Sequence, residues 1–529
     1  MIVPLTPIRF LYRGVDLYGK KVGVVCGAKR FTYGEYGARC ECLATALAKH
    51  GIQPGDRVAY LSLNNHQLIE GYFGVPMAHA IVMPLNVRLT PMELTGILNH
   101  ACARMLIFEN DFAPLVEALR KACPCIERYV TVDEKVPAAD LVYEDLIAEG
   151  KPQRVDYTTI DENSIAELFY TSGSTGTPKG VMLSHRTLYL HGLSVATSYN
   201  PDEEAIELHT IPLFHANGWG RPQTAPLLGL KQVMVRRFDP TTVFRLIQEE
   251  RATAMALVPT MANALLNAPD LGKYDCSSMK NIFIGGAAAS EELIDRMERT
   301  FHCRVLGGYG LTETAPVATS ARDKSTVRFK DEADRIWHRS MAGWPLPANE
   351  IRVVDAEMRD VPRDMTAIGE VVIRGDNVMD GYYKDPECTS AVMTGAWLHT
   401  GDMAVWDEEN YIHIVDRKKD IIISGGENIS SIEVEKAIFA HASVFECAVV
   451  SAPDAKWGEI PVAFVVVKPG TKLTQAELCA FLEQRIAKFK MPRAIEFVEG
   501  ALPKTGTGKI VKRELREKFW SGKERRVQG

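Results

Sequence analysis

The chain has no apolar run long enough to cross a bilayer. Its longest uncharged, apolar-looking stretch, residues 71–87, has 17 residues and contains Pro76, His79 and Pro84. A spanning helix needs about 20 apolar residues, so this stretch reads as buried core. The start, MIVPLTPIRFLYRG, meets proline and arginine too early for the apolar region of a signal peptide. A cysteine framework is also missing. The eleven cysteines are an odd number, and only Cys40/Cys42 and Cys123/Cys125 form C-x-C pairs. That spacing suits neither a zinc site nor a disulfide scaffold, and reduced thiols in a cytoplasmic enzyme are expected. Excess charge of one sign is lacking too. Lys+Arg is 61 and Asp+Glu is 67, a net of −6, which argues against bulk nucleic-acid binding. Repeats and low-complexity blocks are absent. What remains is ordinary globular composition, 46% hydrophobic and 24% charged over 529 residues. A chain this long buries enough surface to fold without staples.

The pattern along the chain predicts an α/β protein. Between about Arg57 and Val317, β-branched runs such as RVAYLSL (57–63), IAELFY (165–170), KQVMV (231–235) and NIFIG (281–285) alternate with helix-like VFRLIQEE (243–250) and EELIDRMERTF (291–301). Such alternation predicts parallel sheets covered by helices. From Trp344 to Val415 short strands with turn signals predict a smaller, antiparallel, barrel-like piece. The charged run DRKKD (416–420) then reads as a hinge. After it, helices at 432–440 and 475–486 and strands at 446–451 and 462–467 predict a small α+β domain. The expected division is 1–418 and 419–529, near Lys419. Residues 504–526 hold nine basic and three acidic side chains, either a solvated helix face or an attraction for an anionic substrate.

The strongest chemical signal is YTSGSTGTPKG (170–180). The strand-like IAELFY runs straight into hydroxyls and glycines. Small residues let backbone N–H groups and hydroxyls approach phosphate oxygens, and Lys179 adds positive charge. It is not a Walker A loop, because Pro178 and Gly180 replace the second glycine and the Ser/Thr.

This loop resembles the phosphate-binding signature of the adenylate-forming superfamily, which includes acyl-CoA synthetases, luciferases and peptide-synthetase adenylation domains. The resemblance recurs in order through PLFH (212–215), GYGLTET (308–314), TGD (400–402), DRKKD (416–420) and LPKTGTGK (502–509). It implies a large N-terminal domain, a small mobile C-terminal domain and ATP between them.

Carried onto this sequence, the resemblance implies that Thr171, Ser172, Gly173, Ser174, Thr175, Gly176 and Lys179 hold phosphates. Gly286, Ala287, Ala288, Gly308, Tyr309 and Gly310 would line the adenine, with Asp402 and Arg417 on the ribose and Lys419 at the hinge. Thr171 and Glu313 would hold Mg²⁺, which takes one or two protein oxygens alongside phosphate oxygens. Joining a carboxylate to an α-phosphate brings two anions together, so the transition state needs positive charge and donors. Lys509, Thr312, Glu313 and His215 are the implied catalytic set. His215, Asn217, Trp219, Gly285, Gly308 and Leu311 would line the acyl pocket, where Trp219 is either a gate or a core tryptophan. One departure is Ile423, where many relatives carry lysine.

Amino-acid-activating relatives place an aspartate near the PLFH motif. PLFHANGWG carries none, which favours a medium- to long-chain fatty acid or similar acid without an α-amino group. The expected reaction is carboxylate + ATP → acyl-AMP + pyrophosphate, then CoA → acyl-CoA + AMP. Two alternatives stay open. An acyl-AMP ligase loading a carrier protein often has an insertion in the large domain, and none is evident. An inactive acyl-nucleotide sensor should have lost Lys509 or Glu313, and both are present. Partners are then ATP, CoA and the acid, with no nucleic acid and no transmembrane segment. A homodimer stays open.

Overall fold

The computed structural model describes residues 2–171, 178–425, 427–454, 456–504 and 510–520. Among these, the strands form four sheets of nine, eight, five and five strands. The protein is the expected α/β assembly. The parallel strands Ile206–His209, Lys231–Met234, Ala254–Leu257 and Asn281–Ile284 make the centre of the nine-stranded sheet, next to Arg304–Gly310. The eight-stranded sheet is centred on Arg57–Leu61, Ile81–Pro84 and Ala103–Phe108, also parallel. Both sheets are covered by helices whose apolar faces form the cores. Ser290 caps the helix Glu291–Phe301 by accepting from the Leu293 N–H, and Thr32 with Glu35 makes a capping box for Tyr33–Lys49. Such caps satisfy N–H groups that a helix start leaves unpaired. Residues 71–87 are core: the helix His66–Met77 is buried along its length, as is the strand Ile81–Pro84. Among the described residues no helix is long and apolar enough to cross a membrane.

The eight-stranded sheet does not stay parallel to its edge. Ile165–Thr171 pairs antiparallel with Lys179–Ser184, and that strand pairs antiparallel with Gly381–Tyr382. The third sheet is antiparallel throughout, from Asn349–Val354 through Gly369–Gly375 and Trp397–Trp406 to Ile412–Arg417. It is the expected barrel-like piece. Residues 422–497 supply every strand of the fourth sheet, and two apolar clusters pack on its two faces.

Within the DRKKD run the two aspartates are tied down while residues 417–419 stay exposed. Asp416 is buried and accepts from the N–H and hydroxyl of Ser431, each at 2.6 Å. Lys512 reaches the same Ser431 Oγ at 2.6 Å and pairs with Glu435 at 2.8 Å. Arg516 donates to Asp420 at 2.6 Å and to the Lys419 carbonyl at 3.1 Å. Lys512 and Arg516 of the terminal helix Lys512–Trp520 are therefore held in internal ion pairs, because the helix packs these two cations against the run it follows in space.

Candidate active site

Thr171 and Lys179 are register partners, so the strands on either side of the glycine-rich loop are clamped together at its base. Ser172, Gly173, Ser174, Thr175 and Gly176 lie outside the described residues, as does Lys509. Lys179 Nζ lies 4.9 Å from the centre of the Tyr382 ring. The Tyr382 hydroxyl donates to Glu313 Oε1 at 2.9 Å, and the Met379 N–H donates to the Glu313 carbonyl at 2.9 Å. Burial beside the Glu313 charge pushes the Tyr382 phenol well up, so it stays protonated and donating. Tyr382 carried no motif in the sequence. Its only signal was the GYY run (381–383), and what it touches is set by strand pairing.

Glu313 sits on a single turn, Thr312–Thr314, closed by the Thr314 hydroxyl, which accepts from the Leu311 N–H at 3.0 Å. Thr312 is buried and Glu313 half-buried. Gly310 just before it has no room for a side chain: a Cβ would stand 1.8 Å from the Pro316 carbonyl oxygen.

The adenine and ribose candidates converge. The Tyr309 hydroxyl donates to Asp402 Oδ2 at 2.7 Å, and Arg417 Nε lies 3.1 Å from Asp402 Oδ1. Asp402 and Arg417 are cross-strand partners, which is why residues 15 apart in sequence meet. Asp402 beside it holds the Arg417 guanidinium above its ordinary range. Gly285 is buried, Gly286 takes φ +76°, and Ala287 and Ala288 are exposed at the end of a parallel strand. Lys419 follows on an exposed stretch. The Ile423 N–H donates to Glu459 at 3.1 Å; an isoleucine there offers no cation.

On the acyl side, residues 216–220 form a turn with five consecutive positive φ values, from +43° at Ala216 to +72° at Gly220. Left-handed backbone costs roughly 1–2 kcal/mol for each non-glycine residue, so the turn must be held by its surroundings. Asn217 holds it: its Oδ1 accepts from the Gly220 N–H at 2.7 Å, and its Nδ2 donates to Glu167 at 3.2 Å. Gly220 packs on His191, whose Nε2 accepts from the Val317 N–H at 3.1 Å; burial pulls that ring down to about 3, so it is neutral. The turn places Trp219 half-buried over Gly285, where an added Cβ would meet the indole at 3.1 Å. His215 is half-buried at the head of the turn. Gly308 on the next strand lies beside Gly285, and Leu311 follows it.

Glu167 corrects one expectation. No carboxylate is near PLFHANGWG along the chain, yet this one is adjacent in space. Its two oxygens accept from Asn217 and, at 2.6 Å, from Gln223, and burial pushes it up to about 8. It is thus a buried, neutral prop rather than an anion facing the pocket. The Gln223 amide oxygen is buried without a partner, and turning that amide over would let protonated Glu167 donate to it. The folded state then keeps a proton that the unfolded state loses near pH 4.5. Stability should fall as pH rises from about 4.5 to about 8, by on the order of a few kcal/mol. Glu167→Gln should flatten this slope in thermal unfolding across that range. An unchanged slope would mean the group is ionised when folded.

The fold, with these side chains gathered past the ends of the strands Ile165–Thr171, Asn281–Ile284 and Arg304–Gly310, is that of an adenylate-forming enzyme. Residues 11–383 match the family described as AMP-binding enzyme, and 433–509 its C-terminal domain. The long-chain-fatty-acid–CoA ligase of Thermus thermophilus is 40% identical over 519 residues, covering 96% of this chain and 95% of that one. 4-Hydroxybutyrate–CoA ligase 2 of Metallosphaera sedula is 33% identical, covering 97% and 94%. The structure of the anthranilate CoA ligase AuaEII with anthranoyl-AMP superposes with a TM-score of 0.89 at 26% identity, covering 98% of each chain. The chain belongs to the AMP-binding enzyme family of the adenylate-forming superfamily. Within it, the protein is an AMP-forming acid–CoA ligase, using ATP, CoA and a carboxylic acid.

Proposed function

We propose that this ligase activates an aliphatic, non-amino acid of medium to long chain, with the residues named above in the roles the superfamily suggests. What supports the nucleotide side of this reading is the grouping of Lys179, Tyr382 and Glu313 with Tyr309, Asp402 and Arg417, Glu313 being close enough to act on the Arg417 charge. ATP laid across it meets a cation and a carboxylate at its phosphates and a carboxylate at its ribose. The acid enters past Trp219 over an apolar floor of Ala254, Ala256, Phe283 and Leu306. The name of the Thermus relative favours a long chain, while the other relatives named above act on quite different acids, so the pocket itself must decide.

Mg²⁺ fits this site as a companion of the nucleotide. Glu313 leaves its second oxygen for a metal, and Thr171 offers a hydroxyl. No group of three or more His, Cys, Asp or Glu side chains is poised for a metal among the described residues, and Mg²⁺ bound mainly through phosphate oxygens needs none. The ion would neutralise phosphate charge. Glu313 orients it, Tyr382 holds Glu313, and Lys179 screens the phosphates. The eleven cysteines, all free, support a reducing, cytoplasmic setting.

We place the hinge at Lys419, with 1–418 and 419–529 as the two moving bodies, and Lys509 as the cation that enters the adenylation centre in one of two positions. Lys509→Ala should then lower acyl-AMP formation by about 10²–10³, while CoA transfer from supplied acyl-AMP is largely kept. Separate half-reaction assays check this. Equal losses in both halves would remove the two-position scheme.

A further inference from the structure

A thiol and an amine from distant parts of the chain meet beside the strand that carries Tyr382. The helix Pro91–Ala101 ends at Cys102, a left-handed residue with φ +50°. Arg57 fixes that end: its Nε donates to the Ala101 carbonyl at 2.6 Å and its Nη2 to the Cys102 carbonyl at 2.8 Å. The strand Gly381–Tyr382 leads into Lys384, also left-handed at φ +54°. The Lys384 ammonium donates to the His100 carbonyl at 3.0 Å and lies 3.7 Å from Cys102 Sγ. The His100 ring stands edge-on to Tyr170 and to Tyr383, with ring centres 5.8 Å apart in each case, and its Nδ1 pairs with the Tyr170 hydroxyl at 2.7 Å. These contacts hold the helix end against the turn after Tyr382 and bring the nitrogen to the sulfur.

Both groups can be reached. Lys384 is exposed and makes no ion pair among the described residues, so losing its charge would strand no carboxylate. Cys102 is half-buried, and its free thiol donates to the Asn99 carbonyl at 3.4 Å. A thiolate is the reactive form of cysteine and exchanges with thioesters. An amine held against an acylated thiol meets its acyl donor at a high effective concentration, and the amide it forms is the more stable product. The product of an acid–CoA ligase is itself a thioester.

We propose that Cys102 and Lys384 form a self-acylation site that draws on acyl-CoA. The Cys102 thiolate attacks the acyl carbonyl carbon, the bond from that carbon to the CoA sulfur breaks, and CoA leaves as its thiolate. The Lys384 amine, its ammonium proton given up to solvent, then attacks the same carbon. The bond to the Cys102 sulfur breaks, the departing thiolate is free to take the remaining amine proton, and an acylated Lys384 Nζ is left. No electron donor or acceptor takes part. The net change passes one acyl group from CoA to lysine and releases CoA as a thiol. The site takes from the ligase activity only its acyl donor, whichever acid that activity prefers.

The test incubates the full-length enzyme with hexanoyl-CoA and maps acylated peptides by mass spectrometry, before and after hydroxylamine, which cleaves thioesters and spares amides. Lys384 should carry a hydroxylamine-resistant hexanoyl group, formed about tenfold faster than on the exposed Lys20 and Lys472. Cys102→Ala should bring Lys384 down to the rate of those two. Lys384→Arg keeps a cation but cannot take the acyl group from sulfur, so a hydroxylamine-labile adduct should build up on Cys102. That variant also decides the matter if Cys102→Ala folds poorly. Equal acylation of Lys384 in the Cys102→Ala protein would reduce it to ordinary surface chemistry and overturn the relay. Native enzyme without an adduct at either residue would overturn the site altogether. Because hexanoyl-CoA is supplied ready-made, neither result bears on the ligase activity or on its preferred acid.

Discussion

Glu313→Ala is expected to reduce acyl-adenylate formation by about 10²–10³-fold, the usual cost of losing a preorganised electrostatic contact to a transition state. The side chain is half-buried and fixed from two directions, by the Tyr382 hydroxyl and by the backbone of its own turn. Little stability should be lost. Glu313→Gln separates charge from geometry, since an amide oxygen can still accept from Tyr382. If charge is what matters, glutamine should be nearly as damaging as alanine, and extra Mg²⁺ should restore little. Tyr382→Phe leaves the carboxylate and loosens only its position, so its loss should be smaller. Pyrophosphate exchange at several Mg²⁺ concentrations distinguishes the three. Near-normal exchange in Glu313→Gln would take the metal role away from this residue.

A comparable loss is expected from adding a single methyl group at residue 310. In Gly310→Ala the new Cβ would sit 1.8 Å from the Pro316 carbonyl oxygen, 2.8 Å from its carbon and 3.0 Å from the Ala318 nitrogen. All three are backbone atoms, so the strand end itself must shift. Overpacking of this kind costs about 1–3 kcal/mol or more. Because Thr312 and Glu313 follow directly, the shift would also displace them, and a misplacement of about 1 Å can cost about 10²-fold in rate. Gly96→Ala is the matched control. It lies in the helix Pro91–Ala101, and its Cβ would meet nothing within 4 Å, so the protein should gain roughly 0.5–1 kcal/mol and keep its activity. Melting temperature and adenylation rate, measured on both variants, test the pair. Activity in Gly310→Ala matching its folded fraction would show that the turn does not depend on that close approach.

Local pattern carried much of the fold into view. The alternation of β-branched runs and amphipathic segments marks strands and helices one by one; 291–301 is helical over its whole predicted length. The loop at 170–180 stands out in the sequence because phosphate approach would demand glycines and hydroxyls in succession. What stayed hidden depends on residues far apart in sequence. Tyr382 meets Glu313 through the pairing of 381–382 with a strand two hundred positions earlier. Glu167 sits under Asn217, although its strand reads as core. The left-handed turn at 216–220 contains two glycines, but nothing local dictates five residues of that hand.

The late edge strand also bears on synthesis. Lys179–Ser184 gains its second neighbour only from Gly381–Tyr382, which leaves the ribosome roughly two hundred residues later. At about 5–20 residues per second that interval is on the order of 10–40 s. Throughout it, the hairpin that clamps the glycine-rich loop has a bare flank, the kind of surface that invites pairing with another chain. The nascent protein thus passes through a period in which the hairpin beside the glycine-rich loop carries an open edge, and any product truncated before residue 381 would keep that flank permanently.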